Sequence, residues 1–411
     1  MSFKTLLTFV SFYLCILMVF ITLGIYGQSK DYHRDESPAI SWNGVVLYDA
    51  RSAAAAGISV FASSPSAAAA NPALLVKADS ILIETSYALA GTTAYQYQTM
   101  NTGVFYSSDK LYEFNDNFSA LSATASYGDI NMSAGFYKKA LLELPDFDVT
   151  GTGYSGSAVF SGSENAYYLA ASYDLSDLVI GAKFTWVAGN RAASLNEVYD
   201  SVVVIEQNEV YSFDYFIISL GLAWKASEKI NLSAVIDYSL TSTQDSKYSR
   251  TFDANTTGGE HITTLYTSQD DLYKPLKITA AALLTPFVDR IGKDGNGMTI
   301  GFEMTHTFWN SYRYLTFGDE FLRNLDDTTT LAVGLELPIK YRGFNLAVRA
   351  GYRLDPQPVP ELHTTLHWLT FGTGISFNNI SLDVAACYFF GSLPEWNPQN
   401  FTVIATLGIQ L

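Results

Sequence analysis

From residue 79 onward the chain alternates apolar and polar residues with a period of two. In 230–240, Ile230, Leu232, Ala234, Ile236, Tyr238 and Leu240 share one face, and Asn231, Ser233, Asp237 and Ser239 the other. In 344–354, Phe344, Leu346, Val348, Ala350, Tyr352 and Leu354 oppose Asn345, Arg349 and Arg353. The stretches 178–186, 331–339 and 380–390 repeat the pattern. Successive side chains of a strand point to opposite faces, so each stretch is a two-faced strand. Each runs about 9–12 residues, the length of a tilted strand crossing a bilayer, whereas sandwich strands centre on about 5–6. In a water-soluble sandwich the apolar face would be the core. In a membrane barrel it faces lipid, and closure pairs every backbone group. Tyr238, Tyr352, Tyr388, Phe389, Phe390 and Trp186 lie near strand ends, as interfacial girdles do.

The connections alternate in length. Short ones fall at 127–129, 174–177, 225–229, 340–343 and 377–379, and long ones at 141–164, 188–209, 241–274, 309–327 and 355–366. Short periplasmic turns and long extracellular loops are the habit of outer-membrane barrels. Parity then selects among about fifteen candidate strands. The first spanning strand is 79–90, the segment 96–107 belongs to a long first loop with some β-structure, and 286–297 is a long periplasmic turn. The expectation is an all-β transmembrane antiparallel β-barrel of about 14 strands, with 79–411 forming the wall.

Residues 28–78 break the alternation. They hold the small-residue run 52–56 and the stretch SSPSAAAANPALL at 63–75, in which Pro72 fixes the backbone of an Asn-Pro turn. Wall side chains do not fill a lumen fourteen strands wide. A compact segment folded inside would block it, so 28–78 is expected to be an N-terminal hatch, or plug. Residues 1–27 carry Lys4 ahead of a long apolar run and read as an export signal peptide.

Composition sharpens the picture. The chain is 48% hydrophobic and 16% charged, with 27 Tyr, 26 Phe and a net charge of −16, which argues against a nucleic-acid partner. Cys387 is the only cysteine beyond the signal, which excludes an internal disulfide or thiolate metal site. His363 and His367 share a strand face but have no third ligand nearby, and no phosphate loop or nucleophile elbow is present. No metal, cofactor or enzymatic activity is expected.

Three stretches resemble the FadL family of outer-membrane long-chain fatty acid transporters. They are 56–75 with its Asn-Pro-Ala, the strand end 303–317, and 349–391 with its Arg-x-Gly, Asp-x-x-Pro-Val-Pro loop and paired glycines. Leu74 stands where the family usually has Gly, and the chain lacks the C-terminal Phe common in outer-membrane proteins. The resemblance implies a monomer in the bacterial outer membrane that takes up long-chain fatty acids or similar hydrophobic molecules passively. Ligand would be caught outside, pass to an internal apolar pocket, and leave sideways among the membrane lipids as the hatch rearranges. A second reading is a FadL-like barrel without transport, serving as a shuttle or scaffold in protein secretion or surface attachment.

A carboxylate ligand needs a cation or donors. Parity turns Lys183, Lys277, Arg349 and Arg353 toward the lumen; Arg349 falls on the Arg-x-Gly position, and Arg349, Lys183 and Lys277 are the candidate ligand contacts. Arg349 contacts either a head group or the hatch, or pairs with a wall carboxylate such as Glu303, Glu336 or Asp383. Asn71, Pro72 and Ala73 are a structural turn at the hatch or part of its gate. Gly135, in the third strand, is a possible wall kink of the kind the family uses to open the barrel.

Overall fold

The structure, a computed structural model, describes residues 48–62, 65–75, 81–93, 97–99, 104–106, 112–141, 144–151, 154–199, 203–240, 242–254, 261–272, 274–286, 297–309, 326–341, 343–358, 365–391 and 399–411. The expected signal peptide 1–27 lies outside these residues, as do 28–47, 63–64 and 76–78 of the expected hatch.

The wall has fourteen strands in chain order: β1 (Leu82–Thr93), β4 (Tyr112–Tyr127), β5 (Ile130–Leu141), β7 (Tyr154–Leu175), β8 (Leu178–Tyr199), β9 (Val203–Ser227), β10 (Ile230–Ser239), β13 (Lys277–Leu284), β14 (Thr299–Thr307), β15 (Thr328–Tyr341), β16 (Phe344–Pro356), β17 (Thr365–Phe377), β18 (Ile380–Phe390) and β19 (Gln399–Gln410). Each pairs antiparallel with the next, and β1 pairs with β19 from Leu82↔Gln410 to Thr92↔Asn400, closing the barrel. Closure leaves no free edge at membrane depth, as a hydrocarbon environment requires.

Burial is inverted relative to a water-soluble protein. Large apolar side chains such as Leu169, Tyr173, Phe184, Leu220, Trp224, Met304 and Leu331 are exposed on the outer face. Ser86, Ser133, Thr185, Ser219, Thr370 and Thr406 are buried on the inner face. That arrangement belongs to an outer-membrane barrel. On the outer wall, Phe118, Phe136, Tyr167 and Trp186 form a continuous aromatic ladder across β4, β5, β7 and β8, with ring centroids 5.2–6.2 Å apart. It marks one interface of the apolar belt.

The tight turns join strands at one end of the barrel, where Gly128, Ser176, Gly343 and Asn378 adopt positive φ. Two-residue hairpins need left-handed residues, so these turns hold the register. This is the periplasmic end. At the other end, several stretches expected as loops continue the sheet instead. β7 and β8 each have 22 residues and β9 has 25. At about 3.3 Å per residue, 22 residues reach about 70 Å, well beyond a bilayer. β6 (Leu144–Gly151) pairs with β7, β11 (Ser242–Ala254) pairs with β9, and β12 (His261–Leu272) pairs with β11. So 141–164, 188–209 and 241–274 are largely strand, because backbone pairing carries on where lipid no longer imposes a two-faced pattern. Within 96–107, β2 (Tyr97–Thr99) and β3 (Val104–Tyr106) form a small hairpin outside the wall. The first wall strand begins at Leu82 rather than 79.

Candidate functional site: a lumen crossed by residues 48–75

Residues 48–62 and 65–75 bond to inner-face groups on opposite sides of the ring, so they lie inside it. Helix α1 (Ala50–Ala54) is started by Asp49, whose carboxylate accepts from the N–H groups of Arg51 (2.9 Å) and Ser52 (3.1 Å). Ala56 and Gly57 then turn the chain back with positive φ. Helix α2 (Ala67–Ala70) ends at Asn71. Asn71 Oδ1 accepts from Ala73 N at 2.9 Å and starts a short 3-10 turn, Pro72–Leu74, with Pro72 at its first position. Asn71 Nδ2 donates to the Ala234 carbonyl of β10 at 3.1 Å. Asn71 thus shapes its own turn with one end of its amide and ties it to the wall with the other.

The wall is cut back to receive this segment. Gly181 and Gly221 are direct partners on β8 and β9, and Asn71–Ala73 packs on them. A Cβ on Gly181 would come 2.5 Å from the Pro72 carbonyl carbon. Gly301, Gly334 and Gly351 are successive partners across β14, β15 and β16. Cβ atoms there would meet Phe61, Ala55 and Ala56, and one on Gly372 would meet Ala54. Small residues inside meet glycines in the wall, so backbone packs directly on backbone.

Hydroxyls and carboxylates anchor the same segment. Ala50 N donates to Thr406 Oγ1 and Ala56 N to Thr370 Oγ1, each at 2.9 Å. Ser86 Oγ donates to the Tyr48 carbonyl, and Tyr168 Oη to that of Pro65. Glu303 accepts from Ser59 N and Oγ, and Glu84 from Ser66 N and Oγ, at the starts of two helical turns. Carboxylates are favoured there because the first N–H groups of a helix lack internal partners.

The expected cations fall in three different settings. Arg349 is 4% exposed and is engaged by two carboxylates, Glu336 through Nε at 2.6 Å and Asp383 through Nη1. That is the wall-pairing alternative for this residue. Lys183 is buried, and its Nζ donates to the Ala69 carbonyl at the end of α2, so it grips the inner segment. Lys277 is exposed at the start of β13. The register of β5 runs unbroken through Gly135, whose missing side chain leaves space for the Tyr168 ring, and the irregularity comes between Lys138 and Ala140. His363 lies outside the described residues, and His367 Nδ1 is bonded to the Tyr352 hydroxyl at 2.7 Å.

Sequence reasoning missed a second constellation. Toward the extracellular end, Lys139 of β5 lies 3.5 Å from Glu164 of β7, and Lys274, just before β13, lies 3.6 Å from it. Tyr215 of β9 donates to Glu164 at 3.0 Å and receives a bond from Lys139. Both ammoniums also sit over the Tyr215 ring, at 4.8 and 5.0 Å. Glu164 is buried, whereas the side chains of Lys139 and Lys274 stay 29% and 16% exposed. Beside this group lies an apolar cluster of Leu75, Tyr137, Ala166, Tyr168, Val187 and Tyr215, with Tyr48 packed edge-on to Tyr137 at 5.4 Å. The available signal was the inward parity of Lys139, the mate of the outward Lys138. Lys274 sits in a connection, where alternation says nothing.

No family model matches the chain, and no curated protein matches it by sequence. The fold is that of known outer-membrane hydrophobic-compound channels. A Pseudomonas aeruginosa FadL homologue superposes with a TM-score of 0.61 at 13% identity, over 89% of this chain and 99% of that one. The Ralstonia pickettii toluene transporter TbuX gives 0.59 at 12% identity, over 91% and 100%. The Pseudomonas putida toluene transporter TodX gives 0.58 at 13%, over 94% and 100%.

Proposed function

We propose that the protein is an outer-membrane channel for passive uptake of long-chain fatty acids or similar hydrophobic molecules, with residues 28–78 acting as a hatch. The observation that carries this reading is the pairing of a blocked lumen with an apolar, tyrosine-rich cluster under two partly exposed lysines. The likeness in fold to the toluene transporters and the FadL homologue supports it. An alkyl chain gains about 0.8 kcal/mol for each buried methylene, so an apolar lining suffices to hold it. A carboxylate head would lie against Lys139 and Lys274, which Glu164 and Tyr215 hold in place. Ligand caught at the extracellular end would pass to this cluster. It would leave as the hatch shifts, through the wall near the β5–β7 irregularity at Lys138–Ala140. No catalytic step belongs to this reading.

The test is uptake into liposomes carrying the full-length barrel, together with mass spectrometry of lipid extracted from the purified protein. Saturable accumulation of a long-chain fatty acid and its co-purification are expected. Passage of sugars without fatty acid uptake would overturn the reading. Uptake of toluene alone would keep a hydrophobic channel and move the substrate class.

A further inference from the structure

The inner segment carries only two charged side chains between residues 48 and 75, Asp49 and Arg51. Asp49 serves its own helix as the cap. Arg51 reaches the wall and forks onto Glu336, with Nε at 3.1 Å and Nη2 at 3.0 Å. Glu336 belongs to a group already assembled in the wall. It is the direct partner of Arg349 across β15 and β16 and accepts from Arg349 Nε, while Arg349 Nη1 donates to Asp383 on β18. Gly374, the partner of Asp383, leaves the space through which that last bond passes. This wall trio has two carboxylates and one guanidinium, a net charge of −1. Arg51 supplies the cation that offsets it, although Asp49 at the start of the same helix lies within electrostatic reach of Asp383.

Position distinguishes Arg51 from the other members. Glu336 lies five residues from the tight-turn end of β15, Arg349 five from that of β16, and Asp383 three from that of β18, so the group faces the periplasmic end. Arg349 and Glu336 side chains are 4% and 10% exposed, while that of Arg51 is 30% exposed. The fixed parts are buried in the wall, and the part belonging to the inner segment is the accessible one. The other anchors are uncharged on the segment's side: backbone N–H groups and the Ser59 and Ser66 hydroxyls donate to wall hydroxyls and carboxylates, Asn71 donates to the Ala234 carbonyl, and the Tyr48, Pro65 and Ala69 carbonyls accept from Ser86, Tyr168 and Lys183. Among the described residues, Arg51 is the one that ion-pairs the segment to a wall carboxylate, and it does so through a two-bond fork, a strong and geometrically specific contact.

We propose that the Arg51–Glu336 fork is the release catch of the inner segment: the wall trio holds one unbalanced negative charge in place as its receptor, and withdrawing Arg51 frees α1 on the periplasmic side. This rests on the reading of residues 28–78 as a moving hatch. It predicts that the catch follows charge at position 51, not packing there.

The experiment is ion conductance of the full-length barrel in planar bilayers, with heat-modified mobility on gels reporting the folded wall. Wild type and Arg51→Lys, which keeps the cation, should stay closed. Arg51→Gln should raise open time at least several-fold. Arg51→Glu, which sets a carboxylate against Glu336, should raise it further. None of these variants changes a wall residue, and the gel mobility separates a freed inner segment from a barrel that has not folded. A folded Arg51→Glu barrel that conducts no more than wild type would overturn the catch, as would an Arg51→Lys barrel as open as Arg51→Gln. Fatty acid uptake by the wild type is read separately, so the catch and the transport reading can fail independently.

Discussion

The two halves of the lumen are built by opposite methods. On the β14–β18 side, Ala54 at the end of α1 and the residues after it, Ala55, Ala56 and Phe61, meet Gly372, Gly334, Gly351 and Gly301, and Arg51 joins Arg349 on the wall carboxylates. On the β5–β9 side, above the Asn71–Ala73 turn, the same ring presents Tyr137, Tyr168 and Tyr215, with two ammoniums around one described carboxylate. The first half is backbone against backbone, where a methyl group has no room. The second is side chain against side chain, with long rotamer-rich lysines that remain partly open. Close packing without freedom fastens a segment in place. Aromatic faces and flexible cations suit a guest of variable shape.

The comparison breaks most severely at the ionic centre. Glu336→Gln leaves Arg51 and Arg349 sharing a neutral amide in a buried site. Breaking a buried pair from one side costs about 3–5 kcal/mol. The expected result is a clear fall in unfolding temperature, with a leaking lumen, read by heat-modified mobility and conductance. Next comes Gly181→Val. Its side chain has no space beside Pro72, and overpacking of this kind costs about 1–3 kcal/mol. The inner segment should be displaced while β8 and β9 stay paired, and protease sensitivity of residues 48–75 checks this.

The lysine side should respond in binding, not stability. Hydrogen bonds to charged groups are worth about 1.5–3 kcal/mol. Lys139→Met with Lys274→Met should therefore weaken fatty acid binding by roughly ten- to a hundredfold while leaving toluene unaffected, as titration calorimetry would measure. Equal losses for both ligands would show that the lysines do not read a head group. Asn71→Ala removes one cap and one bond to Ala234, an effect of about 1 kcal/mol. Thr370→Val removes the hydroxyl that accepts from Ala56 and donates to Ala54, and should cost about as much or slightly less. If either matched Glu336→Gln in effect, the ionic centre would lose its special standing.

The wall was legible because a bilayer writes itself into sequence. Lipid outside and a packed, polar lumen inside force alternation, and the parity that turned Arg349 inward also picked Glu336 and Asp383 among its possible partners. Above the membrane that force ends. Both faces of β8 and β9 leave the hydrocarbon there, so Val203 and its neighbours read as loop although they pair as strand. The cations were ranked by parity alone, and parity cannot tell a lysine that grips a carbonyl, as Lys183 does, from one that shares a carboxylate, as Lys139 does.

The sequence by itself pointed to a barrel of about fourteen spanning strands and to the side that each residue of its alternating stretches takes, because a period of two admits only two sides. It also set the small-residue character of 52–75 and the Asn-Pro turn within it. Only the tertiary structure decided which glycines face which alanines, that Arg51 balances a wall trio made from three strands, and that Lys139 and Lys274 meet at Glu164. Those partners lie tens to hundreds of residues apart, and their meeting depends on the stagger at which the strands close, which no local pattern encodes.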